Sequence, residues 1–282
     1  MRPLFLLSLF APAFALASAE GVNPKATDLF EIGGIPISNS ILTTWIIATL
    51  IIVAVRLLVG TPKIIPNKGQ ALVENVASGL RDALEPIVGK KMIGKTFPVL
   101  CGFFVFILLM NWSGLLPGVG TIKYQSADGH WLDAIRPANS DLNTTLALSI
   151  LSFLAWTYFV LRYAGLKALV FDLFGNKADK KELSFPMWLM LGFIFLGVGG
   201  IEVLSIASRL ISLPFRLYGN VFGGENLIHT LGGIAPYVVP AIAGMLEVLV
   251  GLIQAFVFTL LSAVYIGLIC NHDAGHDDEH AH

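Results

Sequence analysis

Two apolar stretches, about 185–230 and 236–270, are each longer than a membrane crossing needs. Thirty-five residues of α-helix span ~50 Å, whereas the hydrocarbon core of a bilayer is ~30 Å thick. Helices apolar on every side belong in lipid or in a large core, and an overlong one fits a bilayer by tilting. Both stretches must therefore lean strongly or run partly along the membrane plane. That geometry suits wrapping around a neighbouring round surface better than simple crossing. Composition agrees, because 13% of the residues are charged and 55% hydrophobic, against ~25% charged in an ordinary soluble domain.

Three further runs have the length of a span: ILTTWIIATLIIVAVRLLVG (41–60), TFPVLCGFFVFILLMNWSGLLPG (96–118) and DLNTTLALSILSFLAWTYFVLRYAG (141–165). The second closes on Pro117-Gly118, a stop signal. The third opens on Asp141, placed as an N-cap or first-turn acid. Between the first two, Leu72, Val73, Val76, Leu80, Leu84, Ile87 and Val88 recur at helical spacing with charges opposite, which reads as an amphipathic helix on the membrane surface. The expected fold is an all-α membrane protein of about five membrane helices, the last two long and strongly tilted, plus that interfacial helix.

MRPLFLLSLFAPAFALASAEG has the basic start, short apolar run and A-x-A site of a secretory signal. The expected organisation is thus a signal peptide (1–19), one membrane domain (20–270) and a His/Asp-rich tail (271–282). A short membrane anchor is the other reading of the first segment. Lysine and arginine crowd the loops 61–95 and 166–184, while 119–140 holds only Lys123 and Arg136. By the positive-inside rule the first two loops are cytoplasmic and 119–140 is external. Five spans then leave the N-terminus outside and the C-terminus in the cytoplasm.

The formal net charge of −1 suggests no nucleic-acid partner. Cys101 and Cys270 sit in or beside apolar runs and read as packing residues, not as a disulfide framework. No G-x-S-x-G, H-E-x-x-H or P-loop pattern is present. The tail histidines His272, His276, His280 and His282 read as solvated, with metal binding the alternative. No cofactor and no metal site is expected.

The polar residues inside the two long helices carry the chemistry. Glu202, Ser205, Ser208, Arg209, Ser212, Arg216, Asn220 and Glu225 lie in the first; Glu247, Gln254, Thr259, Ser262 and Tyr265 lie in the second. A charge at the bilayer centre costs ~2.5–3.5 kcal/mol on insertion scales, so such groups face protein or water and mark function by default. Arg216 and Asn220 share a face, and Glu202 falls roughly on it. Glu225 points the opposite way, with Pro214 and Gly223-Gly224 able to distort the geometry. Glu247 and Gln254 share a face, with Gly251 between them permitting close backbone approach. Ser262 and Tyr265 continue roughly that stripe, and Glu247 can face Glu225 across the helix pair.

A desolvated glutamate can take and release a proton. Arginine stays charged and relays none, yet it repels cations and attracts a carboxylate. An arginine between two carboxylate regions is therefore a barrier with an electrostatic pull. Arg216 has no obvious carboxylate of its own, so the missing one can come from another chain. Blander readings stand beside this one: Glu202 and Arg209, seven apart, can be a structural pair, and Asn220 can simply hydrogen-bond a neighbouring helix.

Taken together, IEVLSIASRLISLPFRLYGNVFGGENL, LIQAFVFTLLSAVYIGL, DLNTTLALS and NWSGLLPG resemble the subunit a family of the F-type ATP synthase, over most of the chain. The resemblance implies a non-catalytic stator in the bacterial inner (plasma) membrane. It implies a rotating ring of c subunits and peripheral stalk b subunits as partners, besides membrane lipid, with residues 61–95 near the stalk. The family's indispensable arginine falls on Arg216, with Asn220 one turn on. Its access-path polar residues fall on Glu202, Glu225, Glu247 and Gln254, with Asn111, Ser262 and Tyr265 as further candidates. Where the family often has an acid after that asparagine, this chain has Gly114. The resemblance also implies two half-channels, so that an ion rides the ring instead of leaking past the arginine. The competing reading is a secondary transporter with a midplane site in the last two helices; it predicts inverted repeats, and none is visible.

Overall fold

The structure is a computed structural model that describes residues 26–116, 119, 122–125, 131–166, 170, 185–232 and 238–270. The signal-like segment, most of the 166–184 loop and the His-rich tail lie outside the described residues. The chain is an all-α membrane protein, and its described residues include five helices long and apolar enough to cross a bilayer. Two small hairpins accompany them.

The first hairpin pairs β1 (Asp28–Ile32) with β2 (Ile35–Ser38) antiparallel across Gly33-Gly34. Both glycines have positive φ, a region open to glycine but costly for other residues. The hairpin runs straight into α1 (Asn39–Val59), whose N-cap Ser38 accepts from the Ile41 amide. Only Asn39, Ser40, Thr43 and Ile47 of α1 are buried, one narrow stripe at helical spacing. Ile51 packs beside Ile47 and Met110, and Leu58 meets the following helix at Gly69.

The amphipathic helix is α2 (Lys68–Val88), capped by Asn67, whose Oδ1 accepts from the Gln70 amide at 2.7 Å. Its apolar stripe splits. Leu80, Leu84 and Val88 are buried in the core, whereas Leu72 and Val76 are exposed. So α2 docks its second half on the core, while its first half, buried at Gln70 and close to Leu58 at Gly69, leaves Leu72 and Val76 open. Gly89, at φ 88°, breaks it from α3 (Lys90–Trp112), which ends in a 3-10 turn, Ser113–Leu115.

The 119–140 segment is more than a polar loop. It contains the hairpin β3 (Lys123–Gln125) and β4 (Trp131–Asp133), then a 3-10 turn, Ala138–Ser140. Arg136, Ala138, Asn139, Ser140 and Asp141 are all buried. Asp141 then caps α4 (Leu142–Phe159), accepting from the Asn143 amide at 3.1 Å. A π-helical turn, Val160–Ala164, ends that span.

The long pair is α5 (Phe185–Gly232) and α6 (Val238–Cys270). They differ in burial: 44% of the most apolar window of α6 lies inside the protein, but only 6% of that of α5. The core is built on α6, against which α2, α3 and α5 pack. Phe103 and Phe258 meet edge to face there, centroids 5.8 Å apart. Gly267 lets α6 press onto the backbone of α2 at Ile87. The outer side of α5 is left without a partner among the described residues.

Candidate functional site

Along α5, Leu213, Leu217 and Val221 turn inward, while Leu204, Ser208, Ile211, Phe215, Arg216, Gly219 and Gly223 are exposed. Arg216 therefore stands on the uncovered face. It makes no hydrogen bond or ion pair with any described residue. Asn220, one turn on, is half-buried, and its Nδ2 also lacks a hydrogen-bond partner among them.

A polar cluster lies on the hairpin side of Arg216. Glu225 is nine residues along α5, or ~13 Å of helix. Its Oε2 is 3.8 Å from Arg136 Nη2, in a pair whose side chains are 4% (Arg136) and 11% (Glu225) exposed. Arg136 Nε donates to Ser140 Oγ at 2.7 Å. Ser140 and Asp133 both stand close to the Glu225 carboxylate. Glu247 reaches the same place from α6: a Cβ added to Gly224 would lie 2.8 Å from its Oε1. The two glutamates are near enough to feel each other's charge.

The cluster continues through Asn111. Its Nδ2 donates to the Gly251 carbonyl at 3.0 Å, and its Oδ1 accepts from Asn139 Nδ2 at 2.8 Å. Trp112 Nε1 donates to the Val248 carbonyl at 3.0 Å. Gly251 makes this approach possible, because an added Cβ would sit 3.1 Å from that of Asn111. Ser40 Oγ donates to Asp141 Oδ2 at 2.8 Å, and Asn39 Nδ2 to the Asp133 carbonyl at 2.9 Å, tying α1 to the same group. Gln254 is 7% exposed and its Nε2 has no partner among the described residues. Such atoms are left to water or to another chain.

A second cluster lies on the other side of Arg216, towards the start of α5. Arg209 Nη2 is 3.3 Å from Glu202 Oε1 and donates to Ser205 Oγ at 3.1 Å. Its guanidinium carbon stands 3.1 Å from the centroid of the Tyr265 ring. Ser152 and Ser262 share a hydrogen bond of 2.8 Å, and Trp156 Nε1 donates to the Tyr265 carbonyl at 3.1 Å. Arg209, Tyr265, Ser152, Ser262 and Trp156 line a small pocket of about 40 Å³ between α4, α5 and α6.

The structure thus sorts the residues singled out from the sequence. Asn111, Glu225 and Glu247 come together on the hairpin side. Glu202, Ser262 and Tyr265 come together on the other, so Tyr265 and Asn111 do not share a cluster. Arg216 and Asn220 lie between. Glu202 and Arg209 do pair. The sequence reading passed over Arg136, Asn139 and Ser140. Their signal was the polar run RPANSD directly before an apolar helix, with one arginine in a segment otherwise poor in basic residues. Among the described residues, no group of three or more His, Cys, Asp or Glu side chains could hold a metal.

The sequence profile of the ATP synthase A chain family matches residues 41–267. A relative from Bradyrhizobium sp., "ATP synthase subunit a 2", is 29% identical over 242 residues, covering 86% of this chain and 93% of the relative. Another, "ATP synthase subunit a" of Moorella thermoacetica, is 29% identical over 243 residues, covering 86% of this chain and 95% of the relative. With the profile spanning all five membrane helices and both polar clusters, the chain belongs to the ATP synthase A chain family.

Proposed function

We propose that this chain is the ion-translocating stator component of an F-type ATP synthase. In this reading two half-channels are separated by Arg216, and protons pass between them on the carboxylates of a rotating c-ring. The observation that carries the reading is Arg216 itself: exposed, without a partner in the described chain, and standing between two polar clusters. A permanent charge in a membrane helix must face protein or water. A carboxylate brought by another chain answers that need. At ~4 Å and an effective dielectric of ~20, the attraction is ~4 kcal/mol. One charge crossing 100 mV releases ~2.3 kcal/mol, a comparable scale, and desolvation of the two groups offsets part of the attraction.

The lysines and arginines of 61–95 and 166–184 put the cytoplasm at that end of the bundle. The Glu225–Glu247 cluster then lines the path from outside, and the Glu202–Tyr265 cluster the path to the cytoplasm. The exposed Leu72 and Val76 of α2 are offered to lipid and to peripheral stalk b subunits. The chain carries no catalytic group in this account; ATP chemistry belongs to other subunits. The test is affinity purification in mild detergent. Many copies of a small two-helix protein should co-purify in wild type. A chain that purifies alone and transports a solute alone would reject the reading.

A further inference from the structure

Helix α5 carries two arginines, Arg209 and Arg216, seven residues or about two turns apart, so they project in similar directions. Their surroundings differ. Arg209 is bound by Glu202 and Ser205, lies against the Tyr265 ring, and is 18% exposed at its side chain. Arg216 has no such company.

The tilt of α5 makes this difference matter. The apolar stretch Met190–Ile228 has 39 residues, or about 58 Å of helix. A stretch so much longer than ~30 Å of hydrocarbon has to incline or run partly along the membrane plane. The arginines, ~10 Å apart along the axis, are then displaced sideways as well as in depth. A carboxylate carried along this helix would meet two guanidiniums in succession. A second bare arginine would be a second place to stop, on the wrong side of the barrier.

We infer that Glu202, Ser205 and Tyr265 mask Arg209, so that a passing carboxylate engages Arg216 alone. This rests on the ring-facing role proposed above. Glu202 opposes the charge of Arg209 directly, and the π-face of Tyr265 covers the guanidinium. Glu202 then acts through Arg209, as a positioning residue, and not as a proton carrier in its own right.

The experiment uses the whole complex in inverted membrane vesicles, with ATP-driven proton pumping as the readout and ring co-purification as the check on assembly. Glu202→Gln should slow pumping at least about tenfold, the effect of ~1.4 kcal/mol on a barrier. Arg209→Gln should pump faster than Glu202→Gln, and Glu202→Gln/Arg209→Gln should be relieved to the rate of Arg209→Gln, because with no charge left there is nothing to mask. Tyr265→Leu should slow pumping in the same way and be relieved by the same second change. A double variant as slow as Glu202→Gln, or a Glu202→Gln variant at wild-type rate, overturns the inference. Arg216→Gln separates the two levels. If it pumps normally, the stator reading fails; if it is inert while the double variant shows no relief, only the masking fails.

Discussion

Arg136 and Glu225 form a pair that can be broken from either side, and the two breaks should not be equivalent. Their charged atoms are 3.8 Å apart with side chains 4% and 11% exposed. At an effective dielectric of ~20 that separation corresponds to ~4 kcal/mol of attraction, much of it consumed in desolvating both groups. Arg136→Gln leaves Glu225 facing Asp133 and Glu247 with no compensating cation. Removing one member of a buried pair costs about 3–5 kcal/mol. Arg136→Gln should therefore destabilise the complex more than Glu225→Gln does. The double variant should recover much of the loss, giving a coupling of about 2–4 kcal/mol. The assay is a thermal or denaturant series on the purified complex, with passive proton flux in reconstituted vesicles alongside. Flux should fall in both single variants. If Arg136→Gln is as stable as wild type and the double variant behaves additively, the pair is not the electrostatic centre of this cluster.

Three other changes address separate contacts. Gly224→Val would press a methyl-bearing Cβ against the Glu247 carboxylate, 2.8 Å away; the complex should assemble, because that carboxylate can swing aside, but flux should drop, and unchanged flux would count against Glu247 lying on the path. Asn111→Leu strands the buried Asn139 amide and should cost about 1–3 kcal/mol of stability, measured by thermal unfolding in detergent. Gly267→Ala forces α6 off the Ile87 carbonyl of α2, a backbone contact that cannot move aside, and should cost about 1–3 kcal/mol. A variant as stable as wild type would show that the two helices do not press together there.

The helices were legible in the sequence because lipid tolerates few alternatives: long apolar runs had to be helices, and Asp141 marked a start by its chemistry. The Glu202–Arg209 spacing allowed a pair, and the two side chains do meet. Periodicity found the apolar stripe of α2 but could not divide it. Leu72 and Val76 belong to the same stripe as Leu80 and Leu84 but are not covered by this chain, since a stripe tells which face is apolar and not what lies over it. The inward fold of residues 136–141 was illegible for a related reason. Arg136, Asn139 and Ser140 are polar, and a polar run reads as solvated until its tertiary partners are known. Here the partners are Glu225 and Asn111, 89 and 28 residues away in sequence. Distant pairings of that kind leave no local pattern.

In the proposed function a guanidinium that pairs with none of the described residues meets an acid carried by another chain. Replacing Arg216 by lysine keeps the formal charge but substitutes a group that sheds its proton far more readily once desolvated. Proton-driven ATP synthesis by the assembled Arg216→Lys complex in reconstituted vesicles is the most direct measurement. Loss of synthesis with the ring still bound is the predicted result, and synthesis at the wild-type rate would contradict it.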